Sequence, residues 1–286
     1  MAKLPHRPVA LTIAGSDSGG GAGIQADLKT FASLGVHGTT AVTCITAQNP
    51  RSVQCVHGCP AAILRQQIKC VFQELSPRAV KTGMLFAPGL VEVVVHFFRR
   101  GNRPPLVVDP VAVATSGKTL LRRGSFDLIR RDLLPLATLV TPNVFEAQAL
   151  LGRSLRSVED LRLAARELNL QFGCAALLKG GHLPGMKEAV DIFYDGHVEL
   201  LLCAPFIKGI KTHGTGCTYS AAITAYLAWG WNLPDAVGMA KRYITDAIAR
   251  SFCAASHPML NHFGAISQRQ LRTPKMTVNF RPSTPT

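Results

Sequence analysis

Short runs of β-branched and aliphatic residues alternate along the chain with longer amphipathic stretches, the pattern of a sheet wound with helices on both faces. Val9–Ala14 predicts a strand and Ile24–Leu34 a helix closed by Gly35. Thr40–Ala47 and Val53–Val56 predict strands. Ala79–Thr82 and Leu106–Val108 predict short buried strands, with a helix from about Gly89 to Arg99 between them. Leu139–Thr141, Ala175–Leu178, Val190–Phe193 and Val198–Cys203 continue the strand series, and helices are expected over Asn143–Leu151, Val158–Leu168, Cys217–Trp229 and Pro234–Ser251. No repeat or linker interrupts residues 1–263, which are expected to form a single α/β domain with a mostly parallel central sheet. Residues 264–286, basic and rich in Thr and Pro, are expected to be a disordered tail.

Polar residues gather where the strands end. Asp17 follows the first, Gln48-Asn49 the second, then Thr82-Gly83-Met84, Asp109, Thr141-Pro142-Asn143 and Lys179-Gly180-Gly181-His182. Open α/β sheets bind ligands beyond the carboxyl ends of their strands, so this repetition marks one crevice.

Composition narrows the classes of function. The chain has 286 residues, 47% hydrophobic and 17% charged, which is globular usage. No apolar run approaches the roughly 20 residues of a membrane span, and Met1–Pro8 does not resemble a secretory leader, so a soluble cytoplasmic protein is expected. Cysteines mostly sit in apolar runs such as Val42-Thr43-Cys44-Ile45, as reduced thiols do. Cys55-Val56-His57-Gly58-Cys59 lacks a second pair at a zinc-closing distance. The net charge of +14 is dispersed in pairs such as Arg99-Arg100 and Arg130-Arg131 without interleaved aromatics. That argues against nucleic acid and for attraction of small anionic substrates.

Three segments carry candidate chemistry. Lys211-Thr212-His213-Gly214-Thr215-Gly216-Cys217 runs into an alanine-rich helix, and the open N–H groups of such a helix start suit a phosphate. Cys217 at that position is expected to be thiolate-prone. The loop Gly15-Ser16-Asp17-Ser18-Gly19-Gly20-Gly21-Ala22-Gly23 fits neither a dinucleotide fingerprint nor a P-loop: Ile24 stands where the last glycine is needed, and no Gly-Lys-Ser/Thr closes it. It brings backbone close to a small ligand instead. In the next helix Asp27 shares a face with Ile24, Leu28 and Phe31, so it needs a salt-bridge partner or a ligand.

The runs AGSDSGGGAGIQADLKTFASLGVHG, TAQN, KTGML, VVDPV, TPNVFEA, KGGH and HGTGC, spread from Val9 to Phe263, resemble the hydroxymethylpyrimidine/phosphomethylpyrimidine kinases of thiamine biosynthesis, in the ribokinase-like superfamily. The resemblance implies a cytoplasmic, homodimeric kinase that uses ATP and Mg2+ on a pyrimidine, with no nucleic-acid or membrane partner. It implies that Gln48 and Asp27 hold the aminopyrimidine, with Gly15 and Met84 lining the pocket; Met84 reads equally as core. It assigns Asn143, Glu146, Lys179 and Thr215 to the nucleotide, Asp109 and Glu146 to magnesium, and Gly214, Thr215, Gly216, Cys217 and Lys179 to phosphoryl transfer. Glu146 reads otherwise as half of a capping box, and Cys217 either as a proton acceptor or as a wall of the pocket. Ala112 stands where the family commonly has methionine. A pyridoxal kinase and a pyrimidine sensor without turnover remain as rivals.

Overall fold

The computed structural model describes residues 6–101, 103–111, 121–181, 183, 188–207 and 213–263, with the backbone of Arg281–Pro282. Ala112, His182, Lys211, Thr212 and residues 264–280 lie outside the described residues. The elements follow in the order β1 (Val9–Asp17), α1 (Gly23–Ser33), β2 (His37–Asn49), β3 (Ser52–Gly58), α2 (Ala61–Glu74), β4 (Ala79–Thr82), α3 (Pro88–Phe98) and β5 (Leu106–Val108). There follow α4 (Ser125–Leu128), β6 (Leu139–Val140), α5 (Val144–Leu151), α6 (Val158–Phe172), β7 (Ala175–Lys179), β8 (Glu188–Tyr194) and β9 (Glu199–Pro205). The last elements are α7 (Thr215–Ala228), α8 (Leu233–Ala249), β10 (Phe252–Ala254), β11 (His257–Met259) and β12 (Arg281–Pro282).

Ten strands form one sheet in the order β12-β9-β8-β7-β6-β5-β4-β1-β2-β3. The six from β7 to β2 pair in parallel, while β3, β8, β9 and β12 add antiparallel edges. The period of two along each strand feeds both faces. Leu11, Val80, Val108, Val140 and Leu178 point into a core with α2, α3, α5 and α6. Ala10, Ala79, Val107, Leu139 and Leu177 point into a second core with Phe31 of α1 and the apolar residues of α7 and α8. α7 is buried nearly all round, and its alanines let it lie close to the sheet and its neighbours.

The strand and helix series holds, with differences at the ends. β1 and β2 run on to Asp17 and Asn49, so the polar residues placed after them are in the ladder; a register shift between Ala14 and Ser16 lets β1 continue past Gly15. α2 was missed because only Leu64 and Ile68 are buried among its polar residues, as was the helical stretch that begins with α4. α1 buries Ala26, Asp27, Thr30 and Phe31, a face shifted from that of Ile24 and Leu28. Arg281–Pro282 pairs antiparallel with Leu200 and Leu201 at the edge of β9.

Candidate active site

The parallel strands end on one side of the sheet, and their last residues, with the starts of α1 and α7, form a single polar cluster. Helices α5, α6 and α8 are capped by Asn143, Ser157 and Asn232. α1 and α7 have no side-chain cap, which leaves their first N–H groups to loops and ligands. The N-cap of α7 is Gly214, at φ +84°, and a methyl there would meet the carbonyl oxygen of Gly21. The two glycine loops are therefore in backbone contact.

Asp17 ties the first loop together, accepting from the N–H groups of Gly19 (2.8 Å), Gly21 (3.0 Å) and Ala22 (2.8 Å). His213 Nε2 lies 3.3 Å from the same carboxylate. Burial works against the Asp17 charge, but the His213 contact and these N–H groups outweigh it and hold its pKa below the usual value. His213 Nε2 also lies 2.8 Å from Gln48 Nε2. Gln48 is thus tied to the cluster through His213, and its amide already has a protein partner. Next to it, Gly15 is enclosed: a methyl would stand 2.7 Å from Cys44 Sγ and 2.9 Å from Met84 Cε. Met84 is buried, packing in the core and lining the glycine at once.

Asp27 is fully buried and forms an ion pair with Lys81 Nζ at 2.9 Å. Thr12 Oγ1 donates to the same oxygen, Oδ2, at 2.7 Å, while Oδ1 has no hydrogen-bond partner. The salt-bridge alternative is realised, and one oxygen is still left over. Burial pushes Asp27 up against the pull of Lys81; Lys81, despite its own burial, is held above its ordinary value by Asp27.

The other half of the cluster centres on Asp109. Lys179 Nζ (3.1 Å) and Thr141 Oγ1 (3.2 Å) reach its Oδ1, and Ser220 Oγ (3.2 Å) reaches Oδ2. Burial disfavours both charges of the Asp109–Lys179 pair, and their mutual attraction overcomes it, lowering Asp109 and raising Lys179. A methyl on Gly216 would stand 3.2 Å from Lys179 Nζ, which places the ammonium at the start of α7 beside Thr215 and Gly216. Asn143 and Glu146 make the reciprocal capping box of α5, so the structural reading of Glu146 is correct; its carboxylate also acts electrostatically on Lys179. Among the described residues no three His, Cys, Asp or Glu side chains gather closely enough to hold a metal by themselves.

Cys217 corrects an expectation. Despite its place in the first turn of α7, and despite the Gly23 N–H and Lys81 nearby, burial pushes its thiol up to about 11, with Asp27 and Asp109 adding to the shift. The group is a neutral thiol at rest, because two carboxylates and burial outweigh one lysine and a helix start. Sequence reasoning also gave no role to Lys81 or Ser220, and quoted His213 only as part of its loop. Lys81 had a signal: a lysine inside a four-residue strand that is otherwise buried must have a charged partner.

Comparison with known proteins places the chain in a family. A family model described as phosphomethylpyrimidine kinase matches residues 17–260. The hydroxymethylpyrimidine/phosphomethylpyrimidine kinase of Streptomyces coelicolor is 47% identical over 246 residues, 86% of this chain and 90% of that protein. That of Bacillus subtilis is 41% identical over 265 residues, 92% and 97% of the two chains. The thiamine biosynthesis bifunctional protein ThiED of Geobacter sulfurreducens is 47% identical, and the chain spans about half of it, 48%. The crystal structure of a phosphomethylpyrimidine kinase from Clostridium difficile superposes with a TM-score of 0.75 at 42% identity, covering 85% of this chain and 100% of the other. A pyridoxal kinase from Staphylococcus aureus, in complex with AMP-PCP and pyridoxal, superposes with a TM-score of 0.84 at 32% identity, covering 97% and 100%. With a ribokinase-like α/β fold and this match over most of its length, the chain belongs to the phosphomethylpyrimidine kinase family.

Proposed function

We propose that this kinase phosphorylates 4-amino-5-hydroxymethyl-2-methylpyrimidine and then converts the monophosphate to the diphosphate, in thiamine biosynthesis, with ATP as phosphoryl donor. The observation that carries this reading is the buried Oδ1 of Asp27, an unpartnered acceptor in the cluster that also holds Gly15, Met84 and Cys217. An aminopyrimidine offers the matching donor, and a ligand that supplies it completes a carboxylate that the protein leaves half-satisfied. Gln48, released from His213, offers a donor and an acceptor to a ring nitrogen and its amine.

Transfer is assigned to the other half of the cluster. Lys179, at the uncapped start of α7, supplies positive charge to the phosphates, and the N–H groups of Gly214 to Cys217 stabilise the transferring group. Asn143, Glu146 and Thr215 flank the nucleotide. Asp109 and Glu146 are buried carboxylates beside Lys179, the oxygen chemistry that magnesium takes with waters and phosphates, so they would hold it. The ion, when bound, neutralises phosphate charge. Cys217 acts as a thiol that orients the acceptor hydroxymethyl group, since its raised pKa leaves little thiolate to act as a base.

The same reading has the kinase working as a cytoplasmic homodimer. Sedimentation would test the oligomeric state. Among the described residues no helix is long and apolar enough to cross a membrane.

A pyridoxal kinase is the second reading, favoured by the structural likeness to the Staphylococcus aureus enzyme. The test offers hydroxymethylpyrimidine and pyridoxal side by side with ATP and magnesium, products being separated by mass. Diphosphate formed from the pyrimidine is the expected result. Turnover of pyridoxal alone would replace the first reading by the second, and binding of the pyrimidine without turnover would make the chain a sensor.

A further inference from the structure

We propose that Lys81 is a positioning residue of the pyrimidine site: it fixes one oxygen of Asp27 and leaves the other as a charged acceptor aimed at the substrate's amino group. The inference deepens the reading of the site given above and rests on it.

The geometry is specific. Thr12 of β1 and Lys81 of β4 are direct partners across two adjacent parallel strands. Their side chains come from neighbouring positions of the sheet and converge on the same atom, Asp27 Oδ2, at 2.7 and 2.9 Å. Oδ1 is left without any partner, although Asp27 and Lys81 are both 0% exposed. A pair that only neutralised a buried carboxylate would gain by spreading its two donors over both oxygens. Here both donors are spent on one. Gly83 completes the enclosure, since a methyl there would press on Ala14 at 2.9 Å and on Lys81 Nζ at 3.3 Å. The ammonium therefore has little room to leave Asp27. The other ionisable groups that act on the pair are Cys217 from α7 and Asp109 from the end of β5. Neither supplies Asp27 with positive charge, and Lys81 is the largest influence that favours its ionised form.

The test is Lys81→Met, which keeps most of the side chain's length and removes its charge. Without Lys81, burial and the field of Asp109 act on Asp27 together and push its carboxyl further up, towards the protonated form. A protonated Asp27 accepts poorly. We expect the KM for hydroxymethylpyrimidine to rise at least tenfold at pH 7, with the KM for ATP within twofold of the parent. We also expect a pH dependence that the parent lacks: pyrimidine KM falls again as pH is raised and Asp27 ionises. A Lys81→Met enzyme with a lower melting temperature and kcat, but an unchanged pyrimidine KM and pH profile, would show a structural lysine only and overturn the proposal. Should Lys81→Met not fold, Asp27→Asn is compared with Asp27→Asn/Lys81→Met. Equal pyrimidine KM values support action through Asp27; a further loss in the double variant overturns it. A normal pyrimidine KM in Asp27→Asn would instead remove Asp27 from the substrate site, and the underlying reading with it.

Discussion

The carbonyl oxygen of Gly21 occupies the space that a side chain at Gly214 would need, and this contact joins the loop before α1 to the loop before α7. Gly214 also has a left-handed backbone, at φ +84°. Two independent constraints thus make it a glycine. Gly214→Ala is expected to cost at least about 1–3 kcal/mol of stability from backbone strain. Phosphoryl transfer should fall more than a hundredfold, because the N–H groups at the start of α7 are displaced. Thermal unfolding and steady-state kinetics of the one variant read both effects.

Cys217 should be slow to alkylate. A thiol pushed up to about 11 is ionised to about one part in ten thousand at pH 7. Iodoacetamide followed by mass spectrometry should label the exposed Cys55, Cys70 and Cys253 well before it. Cys217→Ser should keep turnover within about tenfold, since an orienting hydroxyl can replace an orienting thiol. Rapid labelling of Cys217 at neutral pH, or loss of turnover in the serine variant, would restore the base role.

His262 makes the fold sensitive to acid. It is buried between Thr218 of α7 and Tyr243 of α8, and burial, with Lys29 adding to it, lowers its pKa to about 4 from 6.5. The folded state binds fewer protons than the unfolded state between these values. Stability is therefore fully present above pH 6.5 and is lost as pH falls towards 4, at up to about 1.4 kcal/mol per pH unit. His262→Gln should flatten the dependence of urea midpoint on pH in that window. An unchanged slope would place the acid response elsewhere.

Lys241 and Asp191 hold the turn that follows Lys179 at the end of β7. Lys241 Nζ lies 2.7 Å from Asp191 Oδ2, and Asp191 Oδ1 accepts the Gly180 N–H at 3.0 Å. Gly180 is pinned in turn because a methyl there would strike the carbonyl of Val190. Breaking a buried pair of this kind costs about 3–5 kcal/mol. Lys241→Met is expected to lose that stability in urea and to raise the KM for ATP several-fold, leaving the KM for the pyrimidine near its parent value.

The alternation of strands and helices was legible because each strand is fed from both faces: Ala10 and Leu11, or Leu139 and Val140, are apolar in succession, as buried parallel strands require. The helix start at Gly214 to Cys217 was legible for a local reason, its glycines and the alanines after it. α2 was not, since two buried residues on a polar helix leave too weak a period to read.

For the site, the sequence by itself determined which polar residues need an explanation. Asp27 on an apolar helix face, and six polar strand ends in succession, were visible because burial of a charge and the direction of a parallel sheet are properties of local pattern. Only the tertiary structure decided their partners. Thr12 meets Lys81 because β1 lies beside β4, and 54 residues separate Asp27 from its lysine. Gln48 meets His213 across 165 residues. The state of Cys217 was misjudged from the helix start alone, because burial and two distant carboxylates outweigh a local dipole. Spacing along the chain carries no record of which strands become neighbours; packing of the two cores against one sheet supplies it.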